Sequence, residues 1–200
     1  MPVLGITGGI ATGKSTFVRA LRAELPGVLF DADAAAHELL AEDEAVQHSI
    51  AETFGESALD AAGRPDRLRL RDLVFADPPA RQRLEEILHP AIRRRWLALA
   101  ESHRERSEWL FVDIPLLYET EAQGEFDRVA VVACSPTTQR ARMRDHRKLD
   151  AGLIENIIGA QLDLAVKIAQ ASHVVWNDST PGCLARQARL LAALLRHSYV

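Results

Sequence analysis

The sequence predicts an α/β protein built on a five-stranded parallel sheet flanked by helices. Three observations predict it: five short apolar runs rich in β-branched residues, helical patterns between them, and one glycine-rich loop joining the first run to the first helix. Strands that are apolar along their whole length are buried on both faces. Their alternation with helices marks a parallel sheet covered on both sides.

The first strand is "VLGIT", residues 3–7. Phe17, Val18 and Leu21 then sit at helical spacing between Lys14 and Glu24, and Pro26-Gly27 stops that helix. "VLFDAD" reads as a second strand ending in carboxylates, after which Asp33 opens a helix through "AAAHELLA". "WLFVDIP", "RVAVVAC" and "HVVWN" supply strands three to five, and a final helix runs from about Leu184 to His197. Two stretches fall outside this rhythm. Residues 36–104 carry several helices and no strand, too much for an ordinary crossover, so they form a helical insertion. Residues 136–171 carry an Arg-rich helix, a polar turn around Lys148 to Gly152 and a second helix, which predicts a mobile lid. The sheet-bearing core is then 1–35, 105–135 and 172–200.

The 200 residues carry a formal net charge of −4, which gives no reason to expect a nucleic-acid partner. Cys134 and Cys183 are far apart and lack metal-site spacing, which fits a reducing compartment. No apolar run approaches the ~20 residues of a membrane span, and "MPVLGITGG" lacks the basic start of a signal peptide. The expectation is a cytoplasmic protein, monomeric or weakly self-associating.

Gly8-Gly9-Ile10-Ala11-Thr12-Gly13-Lys14-Ser15 fits GxxxxGK[ST], between a strand and a helix as that motif requires. Consecutive backbone amides and a helix N-terminus favour polyphosphate there, so residues Gly8 to Thr16 are the expected ATP-binding loop. Lys14 can reach the β- and γ-phosphates, and the Ser15 hydroxyl can ligate Mg²⁺. Asp113 ends an apolar strand, where a carboxylate can hold the metal or its water shell. Asp31 and Asp33 end the strand after the loop's helix, at the edge where open α/β sheets bind ligands. The residues alone leave Asp33 two roles, a base for an attacking hydroxyl or a helix N-cap. Arg140, Arg142, Arg144 and Arg147 crowd one segment that could close over ATP, or simply form a solvated face. Arg93 to Arg95 fit a solvated helix face better than an anion site. Arg67 could meet substrate or pair with Asp66 or Asp72. His89-Pro90 looks like a helix break, and Asn177 stands at the strand end where adenine often passes or where a structural turn sits.

Neither a guanine-reading N-K-x-D nor a D-x-x-G after strand three is present, which argues against a switch GTPase. Ile114 stands where a hydrolytic ATPase carries its water-polarising Glu. Transfer to an organic hydroxyl is favoured over hydrolysis, with a non-catalytic nucleotide-binding module as the other reading.

"GITGGIATGKS", "FDAD", "DRLRLRDLVF", "RLEEILHP", "DIPLLYE" and "SPTTQRAR" occur in the order and spacing of dephospho-CoA kinases, which the chain resembles over nearly its whole length. Shikimate kinases share a carboxylate pair after strand two but would not explain "ILHP" or "PLLYE". The resemblance implies a P-loop kinase core with a helical acceptor domain and a lid. It implies ATP- and Mg²⁺-dependent phosphorylation of the ribose 3′-hydroxyl of dephospho-CoA. It also implies Asp33 as base, Lys14 and Arg142 as catalytic cations, and Thr7, Arg67, His89, Leu116 and Glu119 on the acceptor side. Arg142 is picked from the four lid arginines by its spacing from Gln139. Three departures stand out. His146-Arg147 replaces the family's usual Arg-Asp, Ala171-Ser172 replaces Ala-Asp, and "NDST" lacks the glycine that often follows the strand-five Asn.

Overall fold

The structure is a computed structural model that describes residues 2–103, 106 and 108–198. In chain order it runs β1 (Val3–Gly8), α1 (Lys14–Glu24), β2 (Gly27–Asp31), α2 (Ala32–Glu42), α3 (Glu44–Phe54), α4 (Arg67–Ala76), α5 (Pro78–His103), β3 (Trp109–Asp113), β4 (Arg128–Ala133), α6 (Pro136–Arg147), α7 (Ala151–Gly159), α8 (Leu164–Gln170), β5 (His173–Trp176) and α9 (Pro181–Ser198). The chain forms two compact units, one of Met1–Phe30 and His103–Val200, the other of Asp31–Ser102. The boundary expected at 104/105 and the last two residues lie outside the described residues.

In the first unit the sheet order is β2-β3-β1-β4-β5. β1 pairs in parallel with β3, Ile6 opposite Asp113, and with β4, Gly8 opposite Val132. β4 pairs in parallel with β5, Ala133 opposite Trp176. The C-terminal ends of these strands therefore share one edge, which gathers Gly8, Asp113, Ala133 and Trp176. Alternation decides which side chains face which layer. Leu4 and Ile6 of β1 join Phe17, Val18 and Leu21 of α1 and Leu184, Ala188, Leu191 and Leu195 of α9 in one core. The α1–α9 contact is tied at its rim by Arg189 to Glu24 (3.2 Å) and by Arg196 to the Glu24 carbonyl. On the exposed edge strand β5, Gln187 bonds both the amide (2.9 Å) and the carbonyl (2.8 Å) of Trp176, which blunts a surface open to another strand.

The second unit packs α2 to α5 around Leu39, Leu40, Val46, Ile50, Leu70 and Ala91, with Leu84, Ile87, Leu88 and Ile92 of α5 against them. α5 is one helix of 26 residues with Pro90 inside it, so His89-Pro90 is not a helix break. Proline in a helix interior costs about 3 kcal/mol. Here apolar residues on both sides of Pro90 bury against the same core, which offsets that cost.

Three further boundaries differ from the sequence reading. β2 stops at Asp31 rather than running through Asp33, because Asp31 turns its carboxylate onto the amides of Asp33 (2.9 Å) and Ala34 (3.1 Å) and caps α2. Residues 136–171 hold three helices, with Gly152 inside α7 rather than in the turn. The last helix begins at Pro181, which needs no amide partner in a first turn.

Candidate active site

The loop Gly9–Gly13 links β1 to α1 at the shared C-terminal edge. Two glycines have a reason visible in their surroundings. A Cβ on Gly8 would lie 2.3 Å from the Val132 carbonyl oxygen, so the close pairing with β4 admits no side chain. Gly13 has φ 94° and caps α1, and a Cβ there would lie 2.2 Å from Asn177 Nδ2. Ala11 is also left-handed, with φ 59°, a conformation that an L-residue holds only where its surroundings over-determine it. Those surroundings are dense. Thr12 is buried and its hydroxyl donates to the Gly9 carbonyl at 2.8 Å. Asn177 Nδ2 donates to the Thr12 carbonyl at 2.8 Å. Arg142 donates to the carbonyls of Ala11 (3.4 Å), Thr12 (3.2 Å) and Asn177 (2.8 Å). Ser15 and Thr16, at the start of α1, are exposed.

Lys14 reaches across to Asp113, its ammonium in a short hydrogen-bonded ion pair with Oδ1. Asp113 is buried at the end of β3. Taking a carboxylate out of water is costly unless a cation and hydrogen bonds meet it, and the loop lysine supplies that cation. Beyond Asp113 the chain turns sharply. Thr7 is fully buried, and its hydroxyl donates to the Pro115 carbonyl (3.0 Å). Lys167 of α8 is also fully buried. It donates to the same carbonyl (3.1 Å) and pairs with Glu119 (2.7 Å). Glu119 Oε1 accepts in addition from the Leu162 amide (2.9 Å), while Glu119 Oε2 and the Tyr118 hydroxyl are buried without a hydrogen-bond partner. Burial also raises the Tyr118 pKa above the ordinary phenol value. Leu116 lies in this turn, its carbonyl accepting from the Thr120 hydroxyl at 2.9 Å.

The remaining candidates sit in the helical unit. Asp33 is exposed in the first turn of α2, two residues past β2. Asp31 does the capping, so the Asp33 carboxylate is not spent on the helix end. Four residues on, His37 Nε2 meets Arg67 Nη2 at 2.6 Å. Arg67 therefore pairs with neither Asp66 nor Asp72. Asp66 caps α4, and Arg71 takes Asp72 at 2.9 Å. Arg95 pairs with Glu38 at 3.0 Å, and His89 is half-buried on α5.

Residues 2–181 match the family model described as dephospho-CoA kinase. A dephospho-CoA kinase of Anaeromyxobacter dehalogenans is 42% identical over 200 residues, covering 98% of this chain and 93% of that protein. The chain belongs to the dephospho-CoA kinase family. A Thermus thermophilus protein of solved structure superposes with a TM-score of 0.75 at 30% identity, over 98% of this chain and 97% of its own. A dephospho-CoA kinase from Campylobacter jejuni has the same fold, with a TM-score of 0.73 at 23% identity, over 99% of this chain and 98% of its own.

Two of the three departures noted in the sequence have specific contacts in the structure. Ser172 stands where relatives usually carry Asp, and its Oγ accepts from the Val129 amide at 3.1 Å, keeping an acceptor at the start of β4. In "NDST", Asp178 accepts from the Ser135 amide (2.8 Å) and from the Trp176 indole (3.1 Å). Burial opposes ionisation of Asp178, but the bonds from Ser135, Thr138 and Trp176 outweigh it and hold its pKa below the usual carboxylate value. Arg140 is held by Glu155 (2.6 Å) and Arg144 by Asp145 (2.9 Å), while among the described residues Arg142 is the one of the four that bonds the phosphate loop. Sequence reasoning missed Lys167 and Gln161. A lysine amid "LAVKIA" is a faint signal for the first. Nothing local marks the second.

Proposed function

We propose that this chain transfers the γ-phosphoryl group of ATP to the ribose 3′-hydroxyl of dephospho-CoA, giving coenzyme A. The match of residues 2–181 to the family carries the reading. On this reading the loop Gly8 to Thr16 and the Lys14 ammonium bind the triphosphate, in the sense that P-loop kinases use these groups. Lys14 exchanges Asp113 for phosphate oxygens as its counter-charge. Asn177 borders the adenine. Arg142 stabilises charge on the transferred group from its place beside the loop. Asp33 accepts the proton of the attacking hydroxyl, a role supported by its position past β2 and by Asp31 having taken over the cap. Thr7, Arg67, His89, Leu116 and Glu119 are the residues that the family resemblance assigns to dephospho-CoA. Residues 136–171 act as the lid.

The donor set suits magnesium. Among the described residues no group of three or more His, Cys, Asp or Glu could form an all-protein cage, and Mg²⁺ in kinases is held by one or two protein oxygens plus substrate phosphates. Ser15 and Asp113 would hold it. When bound, the ion neutralises charge shared by the β- and γ-phosphates. No described helix is long and apolar enough to cross a membrane.

The test is ADP release with dephospho-CoA, with shikimate and with no acceptor. Turnover should require dephospho-CoA, and equal turnover in all three would overturn the kinase reading. Asp33→Asn should keep ATP binding and lose about 10²- to 10⁴-fold in kcat, the usual range for removing a general base. Near-normal turnover would remove Asp33 from the chemistry.

A further inference from the structure

Two glutamines outside the phosphate-loop motif hold the same residue of that loop. The Ile10 amide donates to Gln161 Oε1 at 3.0 Å, and Gln139 Nε2 donates to the Ile10 carbonyl at 2.9 Å. Gln139 is buried on α6 and Gln161 lies in the turn between α7 and α8. Neither is a free side chain on a mobile surface. The turn is anchored at its next residue, where the Leu162 amide donates to Glu119, which is itself paired with the fully buried Lys167. Gln139 lies on the helix that also carries Arg142 to the loop carbonyls.

The residue after Ile10 is the left-handed Ala11. The Ile10 carbonyl and the Ala11 amide belong to one planar peptide, so turning it would redirect the Ala11 amide within the loop that the motif assigns to phosphate. We propose that Gln139 and Gln161 are positioning residues for the donor phosphates. They fix Ile10 through both its amide and its carbonyl, and so make the grip of the loop on ATP depend on residues 136–171. This rests on the loop binding ATP, and it assigns neither glutamine a contact with substrate.

The test uses Gln139→Met, Gln161→Met and the double variant, since Met conserves volume while removing the polar contacts. ATP binding is measured by calorimetric titration without acceptor, beside KM for dephospho-CoA and thermal midpoint. Each single variant should weaken ATP binding about 5- to 10-fold, the scale of one hydrogen bond. KM for dephospho-CoA and the thermal midpoint should stay close to wild type. The double variant should be little worse than either single one, because both side chains restrain one residue. Unchanged ATP affinity in both single variants would overturn the proposal. So would losses that multiply independently, or a loss of ATP and acceptor binding together with the thermal midpoint, which would mark general destabilisation. A wild-type chain that fails to bind ATP would instead overturn the functional reading itself.

Discussion

Gly13→Ala adds one methyl group to the start of α1, and the structure sets its cost. The backbone there is left-handed, φ 94°, and an L-residue held so costs about 1–2 kcal/mol. The new Cβ would also lie 2.2 Å from Asn177 Nδ2, so the Asn177 amide must move and give up its bond to the Thr12 carbonyl. That carbonyl keeps its second donor, Arg142 Nη1 at 3.2 Å, so the loss is that of one ordinary hydrogen bond, about 1 kcal/mol. The substitution should therefore destabilise by about 2–3 kcal/mol, lowering the thermal midpoint by about 5–10 °C in a chain of this size. Asn177→Ala alone should cost about 1 kcal/mol, since it removes the same bond. In the double variant the clash is gone and the bond is lost only once. The two changes should then fall short of additivity by about 1 kcal/mol. Urea unfolding of the four proteins reads this directly. Strict additivity would mean that Asn177 does not pack on Gly13 as described, and a Gly13→Ala protein as stable as wild type would refute the left-handed cap.

Lys167→Met should destabilise by about 3 kcal/mol, because it strands Glu119 in a largely buried position. Adding Glu119→Gln should recover most of that in urea unfolding, and no recovery would show that the lysine stem rather than its charge matters. His173 at the start of β5 is held below the ordinary imidazole value, first by burial and second by the Arg128 guanidinium. The unfolded chain thus binds a proton that the folded one resists, so this contribution is full above the unfolded value of about 6.5 and is lost as pH falls below it. His173→Gln should flatten the pH–stability curve in that window, and an unchanged slope would remove His173 as its source.

The donor loop was legible because its physics is contiguous. Strand, glycines, lysine and helix follow one another within residues 3–24, and no distant residue is needed to predict that order. The inner strands β1, β3 and β4 were legible for a related reason, being buried along most of their length and therefore apolar, while the edge strands β2 and β5 are apolar but only partly buried. Where the sequence left Asp33 open between base and cap, the structure gives the cap to Asp31, a difference of two residues that composition does not encode. Arg67 was equally open between substrate and a neighbouring carboxylate, and the side chain it bonds, His37, lies 30 residues away. His89-Pro90 was misread because a proline's local cost is visible in sequence while the burial that offsets it is not.

By itself, then, the sequence determined the sheet, the phosphate loop and, through motifs in order, the family. The tertiary structure decided what holds that loop. Gln139, Arg142, Gln161 and Asn177 stand 129 to 165 positions from the loop residues they bond. Lys167 stands 52 positions from the Pro115 carbonyl it secures. A hydrogen bond across such a separation depends on where two parallel strands end, and strand order is a property of the packed sheet that no local pattern of residues carries.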